Sequence, residues 1–114
     1  MIAELDVYSG RPNPRWLLTE DECRELALLL RDLPPAEERR AGVGLGYRGI
    51  ILANPQKEWG LPPHLRVYAG VVSAEADGAQ FLSDVRGCEQ RLLTMAAARG
   101  YGPLVAAIVQ QREA

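Results

Sequence analysis

The chain reads as an α+β domain, a two-layer sandwich in which a three-stranded mixed sheet carries two to three helices in the order β-α-β-β-α-α. Three observations predict it. Residues 2–8 alternate with the two-residue period of a half-buried strand, residues 19–33 carry apolar side chains at helical spacing behind a capping signal, and residues 77–112 return to helical spacing. The length of 114 residues, with 47% hydrophobic and 25% charged side chains, supports one packed core and not two, so 1–114 is read as one domain.

In the first strand Ala3, Leu5 and Val7 share one face, and Glu4, Asp6 and Tyr8 the other. It runs into Ser9-Gly10-Arg11-Pro12-Asn13-Pro14-Arg15-Trp16, where two prolines remove backbone donors and forbid a helix interior or a central strand. Thr19 then fits a helix N-cap with Glu22 completing a capping box, and Leu18 and Cys23 occupy the positions of a hydrophobic staple. Glu20, Asp21 and Glu22 suit the positive end of the helix dipole. Cys23, Leu26, Leu30 and Leu33 form one helical stripe, which Pro34 and Pro35 stop.

A connector over 34–46 holds the charges Glu37-Glu38-Arg39-Arg40 and the glycines 42, 44 and 46. The second strand, 47–53, is apolar on both faces, Ile51 and Ala53 on one and Ile50 and Leu52 on the other, which predicts a central place. A structured loop over 54–63 leads to a third strand, 65–73, antiparallel to the second, with the first strand placed beside the third. A long helix is expected from Asp77, with Gln80 as its capping partner and Phe81, Val85, Cys88, Leu92 and Met95 as its apolar seam. Gly100 ends it, and Pro103 opens a last helix over 104–112 with Leu104, Val105, Ile108 and Val109 on its apolar face.

Charge and composition exclude several classes. Thirteen basic against 15 acidic side chains give a net charge of −2, which leaves no excess cation for general phosphate binding, so a nucleic-acid partner is not expected. The longest apolar runs, 26–30 and 104–109, fall far short of the roughly 20 residues of a bilayer span. The acidic first residues do not resemble a secretory signal, so a cytoplasmic protein without membrane attachment is expected. Twelve Arg against one Lys point to an arginine-biased bacterial genome.

No cofactor or metal is expected. Gly44-Leu45-Gly46-Tyr47-Arg48-Gly49 has the letters of a dinucleotide-binding turn, but a loop precedes it and a strand follows, the reverse of what a pyrophosphate needs. Its glycines are read as conformational, supplying positive φ before the strand. Cys23 and Cys88 lie on separate apolar stripes and behave as small hydrophobes, and His64 is the single histidine with no ligand spacing around it.

Catalysis has one candidate base, His64, and no serine among 9, 73 and 83 sits in a nucleophile elbow. A small enzyme or enzyme subunit acting on an anionic substrate, with His64 as acid or base, is therefore the alternative reading. The leading expectation is a small non-catalytic binding or accessory protein that recognises a protein or peptide partner. Its loop 10–16 spends Arg11, Asn13, Arg15 and Trp16 on a segment stiffened by prolines, which lowers the entropy lost on binding. Arginine pairs bidentately with carboxylates and tryptophan anchors apolar contact. The competing reading has Trp16 capping the core and Arg11 pairing Asp6. A second segment, from Asn54-Pro55 to Trp59, repeats the composition.

The sheet face opposite the helices is a further candidate, with Tyr8, Tyr68, Arg48 and Arg66 joined by Ile50, Leu52 and Val72 as a protein-contact patch or homodimer face. The run of basic, glycine and aromatic residues that stacks RNA bases is missing from it. The expected binding residues are thus Arg11, Asn13, Arg15, Trp16, Arg48, Trp59 and His64.

Overall fold

Six strands form a single, wholly antiparallel sheet in the spatial order β2-β1-β3-β4-β5-β6, in a computed structural model that describes residues 1–8, 10–37, 46–76 and 78–113. The strands are β1 (Ile2–Leu5), β2 (Arg15–Leu17), β3 (Ile50–Ala53), β4 (His64–Tyr68), β5 (Val71–Ala76) and β6 (Gly78–Ser83). The helices are α1 (Glu20–Leu29), between β2 and β3, and α2 (Cys88–Ala96) and α3 (Gly102–Glu113), which follow the sheet. The α+β class holds, but the expected two-layer sandwich on a three-stranded mixed sheet, in the order β-α-β-β-α-α, is overturned: the sheet has six strands, all antiparallel, and the order is β-β-α-β-β-β-β-α-α.

Three local events account for the extra strands. Arg15–Leu17 zips onto β1, with Ala3 opposite Trp16, and the flanking prolines confine it to the sheet edge. The single strand expected over 65–73 is a hairpin, folded at Ala69 and Gly70, whose φ values of 52° and 83° give a two-residue turn matched to the sheet's twist. Finally, 78–83 is β6 rather than the start of a helix, with Phe81 opposite Ser73 and Leu82 opposite Val72. The helix start expected at Asp77 lies outside the described residues, and α2 begins only at Cys88, where the Asp84 carboxylate accepts from the backbone N–H groups of Cys88 (2.7 Å) and Glu89 (2.9 Å). The sheet is not mixed because β1 pairs antiparallel with β3 instead of lying beside β4.

Register places Ala3, Leu5, Ile50, Leu52, Leu65, Val67 and Val72 on one face, all buried. Cys23, Leu26, Leu30 and Leu33 from α1 and the segment after it, and Cys88, Leu92, Leu93 and Met95 from α2, complete this core. Ile50, Leu52 and Val72 therefore belong under the helices, and not on the exposed face where they were expected. The opposite face carries Ile2, Glu4, Ile51, Ala53, Arg66 and Ser73.

The α1 cap forms as the sequence predicts: the Thr19 hydroxyl accepts from the Glu22 N–H at 3.1 Å and the Glu22 carboxylate accepts from the Thr19 N–H at 2.9 Å. The same Glu22 carboxylate pairs with Arg99 at 2.5 Å, and Glu25 pairs with Arg91, so two ion pairs tie α1 to the C-terminal helices. Burial raises the Glu22 carboxyl, but the Arg99 bond and the cap outweigh it and hold the group below its ordinary value.

Between α2 and α3 the chain makes one wide π-type turn, Ala97–Tyr101, in which Gly100 takes φ 95°. Glycine is the residue that reaches this conformation without strain. Taken through this turn, Cys88–Gln111 is long and apolar enough, by length and composition, to cross a membrane. Its Cys88, Leu92, Leu93, Met95, Ala96 and Ile108 are buried against the rest of the domain, while most of the stretch after Ala96 is half-buried or exposed.

Candidate functional site

The residues expected to bind divide into two groups. Because β1 and β3 are antiparallel, the loop after β1 and the loop after β3 lie at opposite ends of the sheet.

At the first end, Asn13 organises the loop. Its Oδ1 accepts from the backbone N–H groups of Val7 (3.1 Å) and Tyr8 (2.8 Å), and its Nδ2 donates to Glu4 at 3.2 Å. Glu4 also pairs with Arg15 at 3.2 Å, and the Pro14 carbonyl accepts from the Leu5 N–H at 3.0 Å. The loop is thus folded onto its own strand, with Arg15 neutralised there. Trp16 is 7% exposed and packs in the core under the loop, so its indole is not a surface anchor. Arg11 does not pair Asp6; its guanidinium stacks over the Tyr8 ring at 3.8 Å from the centroid, a cation–π contact at the surface.

Asp6 instead takes Arg48 (3.0 Å) and Arg66 (2.7 Å), one on each carboxylate oxygen. Arg48 reaches the Tyr8 carbonyl at 3.4 Å, and Arg66 donates to the Arg48 carbonyl at 2.8 Å. Burial alone would raise the Asp6 carboxyl, but the hydrogen bonds and charges of Arg66 and then Arg48 outweigh it and hold it below the ordinary carboxylate value. Gly49 permits the close approach of β4 beside this cluster: it sits at φ 110°, where a Cβ would come within 2.8 Å of the Val67 carbonyl oxygen.

The loop and the helix break flank an open groove of about 470 Å³, lined by Tyr8, Pro12, Asn13, Pro14, Gly100, Tyr101, Pro103 and Leu104. Arg11 stands at its Tyr8 side. Tyr101, Pro103 and Leu104 were not anticipated, because they arrive from the far end of the chain; the signal was a tyrosine between two glycines immediately before a proline.

At the second end, Asn54 does for its loop what Asn13 does for the first. It is 2% exposed; its Nδ2 donates to the carbonyls of Glu58 (2.9 Å), Leu61 (3.2 Å) and Pro62 (3.4 Å), and its Oδ1 accepts from the Glu58 N–H at 3.3 Å. Lys57 and Trp59 take left-handed φ of 53° and 63°, a strained conformation for residues with side chains. Trp59 is 36% exposed beside Leu28, 60% exposed, and with Arg24, Arg31 and Leu61 it lines a second groove of about 460 Å³. Arg24, 5.8 Å from the indole centroid, is already paired to Glu20 and Asp21.

His64 opens β4 opposite Ala53, at the Trp59 end of the sheet, and belongs to neither groove. Tyr8 and Tyr68 are not on neighbouring strands, since β3 lies between β1 and β4. Tyr68 packs 5.9 Å from Tyr47, whose hydroxyl donates to the buried Glu89 at 2.6 Å. Burial pushes both cysteine thiols up in pKa, Cys88 furthest, which keeps them protonated. Among the described residues no three His, Cys, Asp or Glu side chains converge as a metal site would need. Comparison of the chain with protein-family models, with curated proteins and with solved structures finds no match, so the functional reading rests on the chain's own residues.

Proposed function

We propose that the chain is a small, non-catalytic binding module that takes a segment of a protein partner into the groove between loop 10–14 and the helix break. The observation that carries this reading is the groove itself: an open, shallow surface of about 470 Å³ where Tyr8, Tyr101, Leu104 and three prolines meet beside Asn13 and Gly100. Asn13 and two prolines hold one wall before any partner arrives, and Gly100 and Pro103 shape the other. A preformed wall spares the ordering cost that binding would otherwise incur. Tyr8, Tyr101 and Leu104 supply contact area, and Arg11 supplies a charge-assisted donor at the rim. Trp16 serves the site from below, as the buried support of the loop.

Selection of a random-peptide display library on the purified protein tests the reading. Recovered peptides are expected to lose about tenfold or more in affinity for the Tyr8→Ala, Tyr101→Ala double variant and to bind Trp59→Ala unchanged. Peptides that ignore the double variant would place binding elsewhere.

A further inference from the structure

We infer that the partner segment is an extended, proline-containing stretch that carries at least one carboxylate; the inference rests on the groove being the binding surface. The wall chemistry sets the backbone conformation. Pro12, Pro14 and Pro103 have no N–H, and the Pro14 carbonyl is already bonded to Leu5. The walls therefore present no ladder of backbone donors, and an added β-strand would find no partner there. What they present is ring faces and two phenol hydroxyls. Among the described residues, no protein group hydrogen-bonds the hydroxyl of Tyr8 or Tyr101.

A polyproline II segment matches that inventory. Its carbonyls make no internal hydrogen bonds and are free to accept, whereas a helix has spent most of its own. Its conformation is preformed, so docking into an aromatic-lined groove costs little ordering. The charge comes from Arg11. Its guanidinium is held on the Tyr8 ring and, among the described residues, meets no carboxylate. A carboxylate on the partner can take the fork of the guanidinium while the ring keeps the opposite contact.

Fluorescence anisotropy with a labelled twelve-residue peptide of prolines and glutamates tests the inference, alongside versions with Glu→Gln, Glu→Lys and Pro→Ala. The acidic proline peptide is expected to bind in about the ten to hundred micromolar range, as suits a small surface. Glu→Gln and Arg11→Gln should each cost roughly tenfold, and together no more than either alone, because both remove one contact. Tyr101→Phe, which keeps the ring, should cost about threefold by removing the donor.

Equal binding of the Glu and Gln peptides, or of the Pro→Ala peptide, would overturn the inference. So would retention of single-stranded RNA more tightly than the peptide. Display-selected peptides that need Tyr8 and Tyr101 but contain neither proline nor acid would overturn it while leaving the groove as the binding surface. Selected peptides that need neither tyrosine would remove both.

Discussion

The two Asn-Pro loops use one device to opposite ends. In each, a single asparagine amide holds the turn together: Asn13 through Val7, Tyr8 and Glu4, and Asn54 through Glu58, Leu61 and Pro62. The first loop turns its tryptophan inward, so that Trp16 lies opposite Ala3 on the core face of the sheet. The second turns its tryptophan outward on left-handed backbone beside Leu28. The first loop also leaves Arg11 without an ion pair among the described residues, whereas Arg24 beside Trp59 is held by two carboxylates of its own helix. Burying the indole therefore does not disarm the first loop. It frees the tyrosines and Arg11 to form a surface on a fixed support, and the uncommitted charge there is what separates the two grooves.

Stability measurements by urea denaturation can break this comparison. Trp16→Ala should cost about 3–5 kcal/mol, since it empties a core position. Asn54→Ala should follow at about 2–3 kcal/mol, because it leaves the buried Leu61 carbonyl, and the part-buried ones of Glu58 and Pro62, without their donor. Trp59→Ala should cost about 1–2 kcal/mol, well below Trp16→Ala, since the residue is already 36% exposed. A Trp59→Ala cost matching that of Trp16→Ala would show that both indoles are structural.

Smaller effects sharpen the contrast. Asp6→Asn should cost about 1–2 kcal/mol at neutral pH by leaving Arg48 and Arg66 without their shared anion. The pH dependence has a defined sign. The folded-state pKa of Asp6 lies below its ordinary 3.8, so its contribution is complete above that value and is lost as pH falls from 3.8 through the lowered folded value. Glu22 adds a loss of the same sign beginning below its ordinary 4.5. Denaturation between pH 2 and 7 should show a shallower acid loss for Asp6→Asn than for the parent. Asn13→Ala should cost about 1 kcal/mol, less than Asn54→Ala, since its partners are only partly buried.

What the sequence revealed follows from how local each signal is. The α1 cap and its stripe are written within fifteen residues, so Thr19, Glu22, Cys23 and Leu26 took their expected places. The hairpin at Ala69 and Gly70 was hidden because apolar residues alternate straight across it. A two-residue turn pairs Val67 with Val72, which moves the core positions from odd to even numbers. Phe81 fits both a helical seam and a strand, and only pairing with Ser73 decides between them. Asp84, the carboxylate that caps α2, lies beyond the residues that looked like a cap.

The site was half visible for the same reason. The composition of loop 10–16 singled out Arg11 and Asn13, and the structure brings Arg48, expected from the sheet face, beside them through Tyr8. Neither composition nor spacing distinguishes Trp16 from Trp59; strand register buries one and positive φ exposes the other. Tyr101 and Leu104 join only through the tertiary fold.

The most direct test is a two-dimensional amide NMR titration of the protein with the acidic proline peptide. The account predicts shifts concentrated at Tyr8, Arg11, Asn13, Gly100, Tyr101 and Leu104, with the amides of Leu28, Trp59 and Leu61 unmoved. Shifts centred on Trp59 and Leu28, with the Tyr8 and Tyr101 amides still, would contradict it.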